Sequence, residues 1–186
     1  DPIIITAAEL KQIVSLHLEQ LDLSQQTPAR LWRLPVCYDE KFAPDLKDVV
    51  SKANLTSDEV IALHTSKILE VAIMGFLPGL GYLTGVDDAL HLPRRSVPRT
   101  FVPQGSVGLA MDQTVIYPLN SPGGWNLIGR MPIPLFDQKR ENPILFSAGD
   151  QVSFYAVNAD KYEELAASCV DGNLPICPEQ ADEAAL

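Results

Sequence analysis

The stretch Val102-Pro-Gln-Gly-Ser-Val-Gly-Leu-Ala-Met-Asp-Gln-Thr-Val-Ile-Tyr117-Pro-Leu-Asn-Ser-Pro-Gly-Gly-Trp125-Asn-Leu-Ile-Gly-Arg130 decides the fold class. Proline and glycine interrupt it every few residues, which is too often for a helix. Between the breaks lie short runs rich in Val, Ile, Leu and Tyr, the composition of strands. Runs at 107–110, 114–117 and 126–129, with another just upstream at 100–103, give short strands separated by turns. Close spacing of this kind points to an antiparallel barrel.

The same texture spreads outward. Residues 71–130 hold nine of the 11 glycines, no Lys and no Glu, and their only charges are four arginines and three aspartates. The apolar run 68–74 is short enough for a buried strand. The alternating run 151–157 reads as a closing strand. A further strand is expected over 31–38, with Pro35 keeping it near a sheet edge.

Helices are expected around these strands. Thr6-Ala-Ala-Glu9 and Thr56-Ser-Asp-Glu59 are both capping boxes, in which the threonine hydroxyl and the glutamate satisfy each other's backbone N–H. The first opens an amphipathic helix through Leu10, Ile13, Val14, His17, Leu18 and Leu21. The second opens a helix through Val60, Ile61, Leu63 and His64. Pro44 suits the first position of a helix reaching about 53, and 160–167 reads as a short acidic helix. The helices at 44 and 56 are expected to cover the barrel or plug an open end.

Length and charge narrow the class of function. The 186 residues suffice for one ordinary domain or two small ones. Hydrophobic residues at 46% and charged residues at 20% describe a folded chain, neither disordered nor coiled coil. Fourteen basic against 24 acidic side chains leave a net charge of −10, which argues against nucleic acid as partner. No apolar run approaches the roughly 20 residues a membrane span needs. Cys37, Cys169 and Cys177 form no metal spacing with His17, His64 or His91, so reduced thiols, no metal bound by this chain and a cytoplasmic location are expected. The chain opens on Asp1 without a basic, then apolar leader, so no signal peptide is expected and a trimmed fragment is. The domain reading is a polar linker from 23 to 30, a central domain over 31–157 and an acidic helix with a loose tail over 158–186.

Four segments carry candidate chemistry. Gly75-Phe-Leu-Pro-Gly79-Leu-Gly81-Tyr-Leu-Thr-Gly85 lacks the Gly-Lys-Ser/Thr of a phosphate loop and misses the dinucleotide spacing by one residue. It is either pure architecture or a loop lining a ligand. Gln104-Gly-Ser106-Val-Gly108 misses a nucleophile elbow because Gln104 stands where glycine is required, leaving Ser106 as a hydrogen-bond donor. Pro93-Arg94-Arg95-Ser-Val-Pro98-Arg99 sets three guanidinium forks between stiff prolines, suited to a carboxylate or phosphate, or else to surface ion pairs. In Ser121-Pro-Gly123-Gly124-Trp125 a turn with free N–H groups adjoins a rigid indole wall. His64 is either a satisfied core histidine or an acid–base group.

Read in order, Leu34-Pro-Val-Cys-Tyr38, Pro44-Asp45, Glu59-Val-Ile-Ala-Leu-His64, Gly75-Phe-Leu-Pro-Gly79, Tyr82-Leu83, Pro93-Arg94, Pro98-Arg99, Gly105-Ser-Val-Gly108, Gln113-Thr114, Tyr117-Pro118 and Ser121-Pro-Gly-Gly-Trp125 resemble the allophanate hydrolase subunit 1, or carboxyltransferase subdomain C/D, family over residues 31–157. The resemblance implies a cyclophilin-like β-barrel, mainly β with flanking helices, preceded over 1–30 by the end of an N-terminal α/β domain. It also implies one component of a multi-subunit, ATP-dependent 5-oxoprolinase, with ATP bound in the assembled complex and a small-molecule substrate. The implied partners are a homologous carboxyltransferase-type C subunit and a third oxoprolinase subunit. On that footing His64, Arg99 and Gln113 are the expected catalytic residues. Arg94, Gln104, Ser106, Ser121, Gly123, Gly124, Trp125 and Arg130 are expected to bind substrate or anion. The resemblance leaves two other roles open: the carboxyltransferase half of a urea-metabolising enzyme, or an inhibitor of a histidine kinase. Gln104, Met111-Asp112 and Leu80-Gly81 depart from the family's usual residues in turns that would line the pocket.

Overall fold

The computed structural model describes residues 6–20, 29–170 and 172–180. The linker expected from 23 to 30 lies almost wholly outside them, as do Leu21, Asp171 and the last six residues.

Seven strands close into a barrel. They are β1 (Arg30–Cys37), β2 (Leu69–Met74), β3 (Gly81–Thr84), β5 (Ser106–Ala110), β6 (Gln113–Ile116), β8 (Asn126–Arg130) and β9 (Gln151–Val157), in the order β1-β8-β5-β6-β3-β2-β9. Return from β9 to β1 completes the circle through seven parallel pairs, Leu31↔Gln151 to Cys37↔Val157. All other barrel pairings are antiparallel. Two strands, β4 (Arg99–Val102) and β7 (Ser121–Gly123), form a separate ribbon. The mainly-β barrel expected from the sequence is present, with one parallel seam.

The strand alternation divides the wall into two apolar faces. Leu34, Val36, Val71, Leu83, Leu109, Ile116, Ile128 and Phe154 fill the interior. Leu80, Val102, Ala110, Val115, Tyr117, Trp125 and Leu127 form a second cluster on the opposite side of β3, β5, β6 and β8. Two helices, α2 (Leu46–Ala53) and α3 (Ser57–Thr65), send Leu46, Val49 and Val60 into the interior cluster, as plugs should. Both capping boxes are formed: Thr56 and Glu59 open α3, and Thr6 and Glu9 open α1 (Ala7–Glu19).

Several local expectations need correction. Pro44 is not the first helical residue; Asp45 is the N-cap of α2, and its carboxylate serves other partners. The 68–74 run is not a fully buried strand, because β2 alternates and leaves Glu70, Ala72 and Ile73 exposed. Ser121–Gly123, read as a turn, is a strand, since β4 supplies the pairing that its composition does not favour. Pro35 sits mid-strand, buried; beyond β9, β1 is paired only at its ends, by β10 (Glu179–Gln180) at residues 30–31 and by β8 at residue 37. The tail is not wholly loose: after α4 (Ala159–Ser168), Leu174 and Ile176 pack against the core.

Candidate functional site

A pocket of about 180 Å³ opens on the outer face of the barrel wall. Strand β3 brings Tyr82, β6 brings Val115 and leads into Tyr117, and Trp125 sits between β7 and β8. The Pro122-Gly123-Gly124 turn, Arg94, and Phe76 and Leu80 from the β2–β3 loop complete the lining. Tyr82 and Trp125 meet at 6.1 Å between ring centroids, making an aromatic floor.

Glycine is required in that floor. A Cβ on Gly123 would lie 2.3 Å from the Tyr117 hydroxyl, and one on Gly108 would lie 2.8 Å from the Trp125 Cβ. The turn and the indole approach this closely only because side chains are missing there. Burial pushes the Tyr117 phenol up to about 12, against the opposing pull of the Arg94 cation, so the hydroxyl stays protonated at neutral pH.

The three arginines of the 93–99 segment part company in the fold. Arg99 grips Asp45 with both terminal nitrogens, at 2.8 and 2.6 Å, and Arg95 reaches the same carboxylate at 2.6 Å. Asp45 is 1% exposed and also accepts the Leu127 N–H at 2.7 Å. The Arg95 N–H donates to the Gly124 carbonyl at 2.8 Å, tying the arginine loop to the glycine turn. Arg94 is different: its guanidinium lies over the Trp125 ring at 5.4 Å, and no carboxylate among the described residues pairs with it. It is the cation available to a ligand in this pocket.

His64 corrects an expectation. It is buried in the interior cluster's wall, stacked on Phe154 at 4.6 Å between centroids. The Thr114 hydroxyl donates to the Gly108 carbonyl, so Thr114 accepts from His64 Nε2–H at 3.2 Å and Nδ1 accepts from the Tyr38 hydroxyl at 2.7 Å. Burial lowers its pKa to about 3, so it is neutral, and it does not line the outer pocket. It is a satisfied core histidine, and Arg99 is a structural clamp.

The remaining expected residues divide. Arg94, Gly123, Gly124 and Trp125 are brought together at the pocket. Gln113 and Ser106 are fixed in the barrel wall, and Gln104 is an exposed turn residue whose N–H is taken by Asn120. The Ser121 hydroxyl donates to the Pro122 carbonyl, and Arg130 packs over the Phe42 ring. None of these five lines the pocket. Phe76, Tyr82 and Tyr117 also line the pocket and were not among the expected residues. Tyr82 and Tyr117 stand in the quoted motifs, and an aromatic beside a glycine turn was the available signal. No group of three or more metal-ligating side chains gathers among the described residues, and no helix there is long and apolar enough to cross a membrane.

The fold and pocket define a plugged seven-stranded barrel whose outer pocket holds a guanidinium, without a carboxylate partner among the described residues, over the Trp125 ring. The carboxyltransferase domain, subdomain C and D, matches residues 1–146, and the chain belongs to that family. The match includes the N-terminal helix, further back than the motifs alone reached. The B subunit of the 5-oxoprolinase of Bacillus subtilis is 39% identical over 153 residues, 82% of this chain and 64% of its own. Its counterpart in Haemophilus influenzae is 46% identical over 121 residues, 65% of this chain and 57% of its own. The chain therefore spans about three-fifths of the length of these relatives. The crystal structure of the K. lactis urea amidolyase superimposes with a TM-score of 0.76 at 21% identity, over 97% of this chain and 13% of that one, a likeness of fold.

Proposed function

We propose that the chain is the pocket-bearing part of a 5-oxoprolinase B subunit, which binds 5-oxoproline while the assembled enzyme opens its lactam to glutamate at the expense of ATP. The observation that carries this reading is the unpaired Arg94 over Trp125, in a chain 39–46% identical to two 5-oxoprolinase B subunits.

The chemistry follows from the substrate. A lactam carbonyl is a poor electrophile, so transfer of the ATP γ-phosphoryl group to its oxygen, releasing ADP, prepares the carbon for water. Water adds, the ring C–N bond breaks, the nitrogen takes up a proton, and hydrolysis of the resulting acyl phosphate yields glutamate and phosphate. In this scheme Arg94 pairs with the substrate carboxylate, and Tyr82 and Trp125 support the ring. Tyr117 is held protonated beside them as a hydroxyl donor. These contacts position the substrate, which is the chain's contribution to rate.

The same pocket is poorly furnished for a nucleoside triphosphate. One guanidinium and an aromatic floor are little for three phosphates and a nucleoside. ATP is therefore assigned to the assembled complex, with a homologous C subunit and a third oxoprolinase subunit as the partners. Carboxyl transfer to an amide has no observation at the pocket that favours it over lactam opening.

The test is ADP release by the full-length protein, alone and with its co-encoded partners, with and without 5-oxoproline. Turnover that needs both 5-oxoproline and the partners is the expected result. Absence of 5-oxoproline-dependent ADP release in every combination overturns the reading.

A further inference from the structure

Phe76 is held in a backbone conformation that its residue type resists. Its φ is +68°, and the Leu77 N–H donates to the Gly75 carbonyl at 2.8 Å. Closure over a single residue at positive φ is the rare, strained form of the γ-turn, and a bulky residue there is an outlier. Such strain persists only where the surroundings fix it, and it concentrates at ligand clamps.

The loop beneath Phe76 is indeed fixed. The Gly75 N–H donates to the Leu80 carbonyl at 3.0 Å, and the Leu80 N–H to the Leu77 carbonyl at 3.0 Å. Gly79, at φ +84°, passes so near residue 135 that a Cβ there would sit 3.3 Å from its carbonyl oxygen. Folding offers no compensation for the strain at Phe76. Its side chain is 67% exposed and belongs to neither apolar cluster. What the turn does achieve is to set an exposed aromatic ring into the lining of the pocket that also holds Arg94 and Pro122.

We propose that Phe76 is a ligand-contacting, specificity-determining residue. Its strained turn presents the ring as the upper wall of the pocket, so that a small ring bearing a single carboxylate packs between Phe76 and the Tyr82–Trp125 floor with its carboxylate on Arg94. An aromatic ring gives large contact area with few rotamers to freeze. The charge count sets the selectivity: Arg95 and Arg99 are already committed to Asp45, so one cation faces the ligand. A molecule with a second carboxylate and an ammonium group, as glutamate has, finds no partners for them and is disfavoured. The pocket therefore holds the closed-ring substrate and releases the open-chain product. This inference rests on the reading of the pocket as the substrate site.

The test is isothermal titration of the full-length protein, with its partners, against 5-oxoproline, L-proline and L-glutamate, for the wild type and for Phe76→Gly and Phe76→Leu. Thermal denaturation and co-purification with the partners are followed in parallel. We expect 5-oxoproline to bind at least about tenfold more tightly than glutamate. Phe76→Gly should weaken 5-oxoproline about fivefold or more while leaving the denaturation midpoint unchanged or raised, because glycine relieves the positive φ. Phe76→Leu should fall between. Unchanged affinity in Phe76→Gly, or a lowered midpoint with affinity intact, overturns the proposal. So does loss of the partners with intrinsic affinity unchanged, which would make the ring an assembly contact. If 5-oxoproline is silent but L-proline binds and is lost in Phe76→Gly, the wall is supported and the 5-oxoprolinase reading falls. If 5-oxoproline binds equally to both proteins, the reading survives and the wall does not. No binding of any of the three to the wild type overturns both.

Discussion

Inside the barrel, both ring nitrogens of His64 are hydrogen-bonded to hydroxyls and its ring is stacked on Phe154. On the outer wall, Arg94 lies over Trp125 without a carboxylate, and Phe76 stands exposed at a strained φ. The same strands carry both faces. At His64 the interior uses its polar groups to complete the fold, whereas the outer face leaves a cation without a carboxylate and an aromatic ring exposed. Unsatisfied chemistry on a rigid support is what a binding site requires, and complete satisfaction marks a residue that folding has already used. A histidine beside a helix end and an arginine after a proline look equally functional in sequence; their partners separate them.

That contrast can be broken most severely at Asp45, which joins α2, the arginine loop and β8. Asp45→Ala strands two arginines and the Leu127 N–H together, and about 3 kcal/mol or more of stability should be lost, read as a lowered urea midpoint. The interior face gives the next largest effect. His64 is lowered to about 3 when folded and returns to an ordinary value near 6.5 when unfolded, so the unfolded chain binds the extra proton between those values. Stability is then fully present above about pH 6.5 and is lost progressively as the pH falls toward 3, by a few kcal/mol in all. Urea midpoints measured from pH 7 to 4 should fall steeply in the wild type and less in His64→Gln.

On the outer face, Gly123→Ala drives a methyl into the Tyr117 hydroxyl. About 1–3 kcal/mol of stability and most ligand affinity should go, and Tyr117→Phe in the same chain should restore part of the stability. Arg94→Ala should be the mildest change to the fold, within about 0.5 kcal/mol in the denaturation midpoint. Its effect should appear instead as lost binding of a small carboxylate.

What the sequence disclosed was what is decided locally. Thr56 and Glu59 satisfy each other three residues apart, so the start of α3 was legible. The alternation over 151–157 matched β9 because one of its faces meets the core. Long-range partners were invisible. Ser121–Gly123 has a turn's composition and becomes a strand because β4 lies beside it. β3 was hidden among the glycines of 75–85, where the pairing with β2 and β6 supplies what propensity does not. Arg94 and Arg99 share the same proline-rich loop; only Asp45, far back in the chain, shows which is a clamp and which is free. The glycine turn and Trp125 were found because close backbone approach leaves a glycine signature, whereas Phe76 stood in a quoted motif with nothing to announce its φ.

The most direct measurement compares Arg94→Ala with His64→Gln, in the full-length protein assembled with its partners, for 5-oxoproline-dependent ADP release at pH 7.5 and a temperature where both variants are folded. Arg94→Ala should raise the KM for 5-oxoproline about tenfold or more while His64→Gln turns over at the wild-type rate. Loss of turnover in folded His64→Gln, with Arg94→Ala unaffected, would contradict this assignment and return the chemistry to the interior of the barrel.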